Sequence, residues 1–216
     1  MWKRRILLAL LILSLLGIVQ VGGTRNWAFT RVRVNRVMHQ LETRLPGSRE
    51  QAGTPVEKIA AEHPLKTTYY YHFAADVPLN VRPIFEDAIA VYNRTGIVRL
   101  VAGRPRQRQN GITLYTYNRS EDGAHPTFLE LGEGGPEIRR YVGLGTYTIN
   151  RARAGLNLAH PEAGIRVSVA VHELGHAVGL DHSKSRQSVM YPYDQGHLHL
   201  SAADTKTLKV LYAHQS

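Results

Sequence analysis

Five residues between positions 172 and 182 have the types and spacing to bind a metal ion and hydrolyse a bond. On an α-helix each residue advances about 100°, so His172 and His176 project from one face and can share a metal, with Glu173 beside them. His182 can reach the same metal only if the chain turns. Gly179 is able to adopt the left-handed conformation that ends a helix, and it is therefore the predicted pivot.

The three imidazoles predict a catalytic metal centre. Three neutral histidines leave one tetrahedral position of a zinc ion for water, whereas structural zinc sites are closed by four protein ligands. Zinc lowers the pKa of that water, and Glu173 can take its proton and later deliver it to a leaving amine. A structural role without metal is disfavoured, because three converging histidines without a ligand would be costly to bury. The pattern therefore predicts peptide-bond hydrolysis with one Zn²⁺ and Glu173 as the catalytic base.

The residues that follow the motif carry a family resemblance. The run at 172–182, then Ser183 and the stretch Ser-Val-Met-Tyr-Pro-Tyr at 188–193, resembles the metzincins, and specifically the catalytic domain of the matrixins, the matrix-metalloprotease family. The resemblance extends over roughly residues 67–213. It implies an α+β (mixed α/β) fold in which a twisted, mostly parallel sheet packs on long helices. It also implies an edge strand for an extended peptide near Tyr141–Thr148.

The resemblance also implies roles for the residues after the third histidine. Met190 matches the methionine of the Met-turn, a hydrophobic floor beneath the metal, and Tyr191, Pro192 and Tyr193 are expected to line the substrate pocket. The family usually reads M-Y-P-x-Y, whereas here Tyr193 stands one place early and Asp194 occupies the position of that tyrosine. The details of the pocket are therefore not carried over from the family.

Further metal sites are weaker predictions. The family binds a structural zinc through an H-x-D pair with later histidines, and His125 lacks that partner pattern, so no second zinc is predicted. Ca²⁺ remains possible without a clear motif. The pair His197 and His199 is expected to line the pocket or to face solvent rather than to bind metal. Asp181 is either an acceptor that holds a ligand histidine or a surface charge.

The first 66 residues are predicted to lie outside the catalytic domain. Residues 1–23 carry three basic residues at positions 3–5 and continue with an apolar stretch, which is the order of a signal peptide or of an uncleaved transmembrane signal anchor, and both alternatives stay open. Residues 24–66 are expected to form a basic amphipathic stem helix and a linker, with the domain boundary near Lys66 and the catalytic domain at 67–216. The expected location is extracytoplasmic, either membrane-anchored by the N-terminus or secreted.

Composition excludes several classes of chemistry and partner. The chain has no cysteine, which excludes disulfides, zinc–thiolate sites and the pro-region cysteine that keeps animal matrixins latent. The net charge is +10, but residues 1–50 hold nine basic against two acidic residues (+7), whereas residues 51–216 hold eighteen against fifteen (+3). The catalytic domain is thus nearly balanced. Proteins or peptides, and a membrane through the N-terminal segment, are the predicted partners; nucleic acid is not, and no oligomeric state is predicted.

The elements that must position the motif can be read from periodicity and turn signals. Strands are expected at Thr67–Ala74, Ile97–Val101, Ile112–Asn118 and Thr146–Asn150, a helix from a cap at Asn80 to Gly96, and a loop over Asn118–Gly145. The motif helix presents an apolar stripe to the core, formed by Val167, Val171, Leu174 and Val178. A final helix starts with the capping box of Ser201 and Asp204.

Two functions from different classes are consistent with these residues. The first is an active surface-anchored or secreted zinc endopeptidase, of which processing of itself or of one dedicated partner is a narrower form. The alternative is a non-catalytic surface binding or adhesion protein that keeps a metzincin fold. Glu173 favours the enzyme, because a degenerate fold commonly loses the base first.

Overall fold

The computed structural model describes residues 30–33, 53–62, 64–120, 130–142 and 145–213. The strands are β1 Thr30–Arg33, β2 Thr68–Phe73, β3 Arg99–Ala102, β4 Asn110–Tyr117, β5 Glu130–Gly135, β6 Ile138–Tyr141 and β7 Tyr147–Asn157. The helices are α1 Lys58–Ala61, α2 Arg82–Arg94, α3 Pro161–Gly164, α4 Val167–Ala177 and α5 Ala202–Tyr212. None of the helices in these ranges is long and apolar enough to cross a bilayer, and the predicted signal or anchor at 1–23 lies outside the described residues.

The strands form one twisted sheet in the order β1-β5-β7-β4-β2-β3, with β6 paired to β7. β2, β3, β4 and the C-terminal half of β7 run parallel, whereas β5 is antiparallel to β7. The central strand β4 is buried along most of its length, as expected for a parallel strand covered on both faces. Helices α2 and α4 pack against each other, and α4 packs on β5 and β7. The mixed α/β fold with a mainly parallel sheet is therefore confirmed.

The glycine-rich stretch Asn118–Gly145, which the sequence predicts to be a loop, contains two strands. β5 and β6 both lie within that stretch, while residues 121–129 are outside the described part. Gly132 and Gly134 occupy β5 because α4 comes very close: a Cβ at position 132 would lie 2.6 Å from Glu173 Oε1. Glycine at these positions thus reflects the close approach of the helix to the strand and not a turn.

The expected edge strand at Tyr141–Thr148 falls on the antiparallel pair of β6 and β7. Residues 141 and 147 are cross-strand partners in the antiparallel pair of β6 and β7, and the two rings stack with centroids 4.7 Å apart. The antiparallel strand that lies beside the motif helix is β5. Its other side pairs with β1, where Thr30 lies opposite Gly134 and Arg33 opposite Glu130.

Two helix predictions need correction and one is confirmed. Residues 30–33, inside the predicted stem helix, form β1; the alternation Thr-Arg-Val-Arg suits a strand, and the edge of β5 supplies its backbone hydrogen bonds. Helix α2 starts after Val81 without a side-chain cap, so Asn80 is not its cap. The capping box of α5 is present: Ser201 Oγ accepts from the Asp204 backbone N–H at 3.1 Å, and Asp204 Oδ2 from that of Ser201 at 2.9 Å.

The structured region extends upstream of the predicted boundary near Lys66. Val56 pairs with Leu180 in an isolated antiparallel bridge, and Asp181 N–H donates to the carbonyl of Pro55 at 2.9 Å. Ala60 and Leu65 are part of the hydrophobic core. Residues that look like a linker by their glycine and proline content therefore pack against the end of the motif helix.

Candidate active site

Helix α4 holds the first two histidines and the glutamate of the motif, and it is buried over nearly its whole length. Its C-terminal end is tied by buried polar groups from other elements. Asn150 Nδ2 of β7 donates to the carbonyl of Ala177 at 2.9 Å, and Tyr212 Oη of α5 donates to that of Val178 at 2.8 Å. From α2, Tyr92 Oη donates to the carbonyl of Val171 at 2.8 Å. Three separate elements therefore fix the position of the helix.

The chain turns after α4 at Gly179, as the sequence predicts. Its φ of +104° is a conformation that residues with a Cβ rarely adopt, and a Cβ there would lie 2.9 Å from atoms of Ala60 and Leu211. The turn brings His182 back beside the helix. The ring centroids are 4.8 Å apart for His172 and His176, 5.3 Å for His172 and His182, and 4.9 Å for His176 and His182.

Hydrogen bonds to carbonyl oxygens determine the tautomers of the two helical histidines. His172 Nδ1 lies 2.8 Å from the oxygen of Val189, and His176 Nδ1 lies 2.9 Å from that of Leu180. A carbonyl only accepts, so each Nδ1 carries the proton and each Nε2 carries a lone pair. Burial lowers the pKa of His172 well below its ordinary value and that of His176 to about 3, so both rings are neutral.

The histidine lone pairs converge in a way that suits a metal ion. His172 Nε2 and His176 Nε2 lie 3.0 Å apart, and two lone pairs at that distance repel each other unless a cation lies between them. His182 Nε2 is buried and has no hydrogen-bond partner among the described residues. One ligand atom of each ring lies within 4.8 Å of those of the other two. The donor set fits Zn²⁺, which accepts neutral imidazole nitrogens.

Glu173 lies fully buried beside this triad. Neither of its carboxylate oxygens has a hydrogen-bond partner within the described ranges. Burial, with added repulsion from the charges of Glu133 and Glu130, raises the pKa of Glu173 well above its ordinary value. The closeness of Gly132 and Gly134 in β5 leaves room for this carboxylate and for little else. A carboxylate in such surroundings readily accepts and holds a proton.

Met190 lies directly beneath the helix and is fully buried. Gly175, between the two helical histidines, leaves space for the Met190 sulfur, and a Cβ at position 175 would overlap it. The backbone of Met190 is held on both sides: its N–H donates to Ser188 Oγ at 3.0 Å, and its carbonyl accepts from Ser183 N–H at 2.9 Å. Met190 therefore packs against the motif helix between the two histidines.

Asp204 connects this turn to helix α5. Its buried carboxylate accepts from Ser188 Oγ at 2.5 Å, from Val189 N–H at 3.2 Å, and from Thr54 Oγ1 of the upstream segment. Val189 is also the residue whose carbonyl orients His172. The carboxylate at the start of α5 therefore supports the histidine triad through one intermediate residue.

A small cavity opens beside His172. It is lined by Ser168, Val169, His172, Ser188, Val189, Tyr193, Asp194, Gln195 and His197. Of the predicted stretch Tyr191-Pro192-Tyr193, Tyr193 lines the cavity, whereas Tyr191 is buried with its ring centroid 5.6 Å from that of Tyr193. His197 also lines the cavity, and its Nε2 donates to the carbonyl of Arg186 at 2.7 Å.

Glu57 is a site residue that sequence reasoning missed. Its Oε1 lies 3.1 Å from His176 Nδ1, although the two positions are 119 residues apart in the chain. Glu57 lies in the segment that the sequence predicts to be a linker, and no motif pointed to a role for it. Asp181 holds the backbone of the third histidine: its Oδ1 accepts from the His182 backbone N–H at 2.6 Å, and its charge counteracts the lowering of the pKa of His176 and His182.

Comparisons with known proteins find similarity over parts of the chain. The matrixin family model matches residues 108–213. Macrophage metalloelastase of Oryctolagus cuniculus is 50% identical over 48 residues, which are 20% of this chain and 10% of that protein. Matrilysin of Felis catus is 43% identical over 54 residues, 23% of this chain and 21% of that protein. The matched stretches thus span about a tenth and a fifth of these relatives.

One solved structure that aligns with this chain is that of high choriolytic enzyme 1 from Oryzias latipes (medaka fish), a hatching enzyme zinc-protease. The alignment has a TM-score of 0.41 and 13% sequence identity, and it covers 78% of this chain and 98% of that one. The family match includes β4, β5, β7, the motif helix, the methionine turn and α5. Over residues 108–213, the chain therefore resembles the matrixins.

Proposed function

We propose that this protein is a zinc-dependent metalloendopeptidase that acts outside the cytoplasm. The observation that carries the proposal is the pair of Nε2 lone pairs of His172 and His176, 3.0 Å apart, with the unpartnered Nε2 of His182 and the carboxylate of Glu173 beside them. These groups form a metal-binding triad and a base in one buried place. The matrixin match over the same residues supports the assignment.

His172, His176 and His182 would hold the zinc through Nε2. When bound, the ion supplies Lewis acidity, which makes water a better nucleophile and polarises the carbonyl of a peptide bond. The carbonyl oxygens of Val189 and Leu180 keep the rings of His172 and His176 in the tautomer that offers Nε2. Met190 packs under the helix and keeps the triad on a rigid, apolar floor.

Glu173 is the proposed catalytic base. It takes the proton of the attacking water on one carboxylate oxygen and passes it to the nitrogen of the leaving amine, so that the C–N bond breaks without expelling an amide anion. Its buried surroundings raise its pKa, and the protonated form needed for the second transfer is therefore accessible. The cavity beside His172, lined by Tyr193 and His197, would accept a substrate side chain.

Proteins or peptides are the proposed substrates, and the N-terminal apolar segment supports an extracytoplasmic location, anchored or secreted. The location is tested by adding a non-permeant protease to intact cells that produce the tagged chain. Digestion of the C-terminal tag, or its recovery from the medium, agrees with the proposal. Full protection of the tag in intact cells contradicts it.

The activity is tested on the full chain by measuring bound zinc and the cleavage of an unfolded protein. Glu173→Gln should still bind one zinc per chain but lose at least about 100-fold in cleavage rate, because it keeps its size and loses its basicity. Glu62→Gln is the matched control, since Glu62 is exposed. Equal cleavage by the Glu173 variant and the wild type would exclude the proposed base. Zinc binding without any cleavage by the wild type would favour the non-catalytic binding protein.

A further inference from the structure

Glu57 brings a buried negative charge to the back of a proposed zinc ligand. Its side chain is 7% exposed, and its Oε1 lies 3.1 Å from His176 Nδ1. The Nδ1–H of His176 is thus shared between this carboxylate and the carbonyl of Leu180 at 2.9 Å. His172, by contrast, donates its Nδ1–H to a backbone carbonyl. The carboxylate therefore distinguishes the environment of His176 from that of the other helical histidine.

The backbone around Glu57 is attached to the turn that redirects the chain toward His182. Glu57 N–H donates to the carbonyl of Gly179 at 2.9 Å, and Val56 pairs with Leu180. Upstream, Thr54 is anchored to α5, because its carbonyl accepts from Thr207 Oγ1 at 2.7 Å. The position of the carboxylate is therefore determined by backbone pairing with the same turn that it faces.

The side chain of Glu57 does not cap the helix that begins after it. It stands at the N-cap of α1, but its side chain makes no cap hydrogen bond. A side chain that serves the short helix would accept from the backbone N–H groups of its first turn. Here the carboxylate turns away from α1 and toward His176, so helix capping does not explain it.

A second carboxylate lies nearby. Ligand atoms of Glu57, His176 and Asp181 all lie within 4.8 Å of one another. Zinc bound to the triad would add positive charge on the far side of the His176 ring, next to both carboxylates.

We propose that Glu57 is a positioning residue, which orients His176 for zinc and makes zinc affinity depend on the docking of residues 53–62. This inference rests on the proposed function only in taking His176 as a zinc ligand. A carboxylate on the distal nitrogen of a metal-bound histidine fixes the ring and raises its basicity as a ligand, and loss of such a partner typically weakens metal binding by about 10–100-fold.

The test compares the full chain with Glu57→Ala, Glu57→Gln and the control Glu62→Gln, which changes an exposed glutamate of the same segment. Zinc affinity is measured by competition with a chromophoric chelator, and the visible spectrum is recorded with Co²⁺ in place of zinc. Glu57→Ala should weaken zinc binding by about 10–100-fold and change the Co²⁺ spectrum, and Glu57→Gln, which retains an acceptor oxygen without the charge, should weaken it less. The control should match the wild type.

Zinc affinity of both Glu57 variants within twofold of the wild type would overturn the proposal. If Glu57→Ala does not fold, Glu57→Gln decides, because it has nearly the same size and shape; its affinity must then be lower than that of the control. A wild type that binds zinc and cleaves nothing would contradict the protease proposal while leaving the Glu57 measurement intact. The two hypotheses therefore fail in different ways.

Discussion

Gly175 packs directly against the sulfur of Met190, in the interval of α4 that separates His172 from His176. The contact joins the motif helix to the turn that follows the third histidine, and Tyr92 Oη also lies close to position 175. A glycine is required because the methionine occupies the space where a side chain would begin. The floor of the site thus depends on a residue without a side chain.

Gly175→Ala should therefore move Met190 or the helix. Overpacking a rigid core of this kind costs about 1–3 kcal/mol, and the free energy of unfolding by urea should fall by that amount. Zinc affinity should fall as well, because the histidines on both sides of position 175 move with the helix. Gly145→Ala is the control, since a Cβ there meets open space. Unchanged stability and zinc affinity in Gly175→Ala would show that the contact is not tight.

Gly132→Ala should separate catalysis from metal binding. A Cβ at position 132 would lie 2.6 Å from Glu173 Oε1, so the carboxylate would have to move. The hydrogen bonds from His172 to Val189 and from His176 to Leu180 do not involve that carboxylate and should persist. A displaced base should lower the cleavage rate on the order of 100-fold while bound zinc stays at the wild-type level. Zinc loss equal to the activity loss would contradict this separation.

The raised pKa of Glu173 predicts how the metal-free protein responds to pH. The folded state binds this proton more tightly than the unfolded state, whose carboxyl has its ordinary value of 4.5. Stability from this group is present below pH 4.5 and is lost as the pH rises toward the folded-state value. Glu173→Gln removes the dependence, so the free energy of unfolding of this variant, relative to that of the wild type, should rise as the pH increases above 4.5. A constant difference over that range would contradict the shift.

Ser188→Ala should loosen the support of His172. The buried hydroxyl donates to Asp204 at 2.5 Å and accepts from Met190 N–H at 3.0 Å, so its removal leaves two groups without that partner. The expected loss of stability is about 1–3 kcal/mol. Zinc affinity should fall with it, because Val189, whose carbonyl orients His172, is the next residue. Ser120→Ala, at an exposed position, is the control. A variant that matches this control in both measurements would refute the supporting role.

The elements with strong local signals were predictable from the sequence. The motif helix and its apolar stripe, the end at Gly179 and the capping box of Ser201 and Asp204 all depend on residues within a few turns of one another. The glycines around positions 132 and 134 predict a loop, because glycine favours flexibility in general, whereas in the structure they reflect the closeness of Glu173. That closeness is a property of packing and leaves no local trace in the sequence.

The sequence by itself determined the chemistry: three histidines, one glutamate and the spacing that lets them meet belong to one short stretch, where helix geometry decides which side chains share a face. Only the tertiary structure decided what surrounds that stretch. β5 lies over Glu173, Val189 and Leu180 set the histidine tautomers, and Glu57 arrives from 119 residues away. These partners are chosen by sheet order and by the docking of the upstream segment, which depend on contacts between distant parts of the chain.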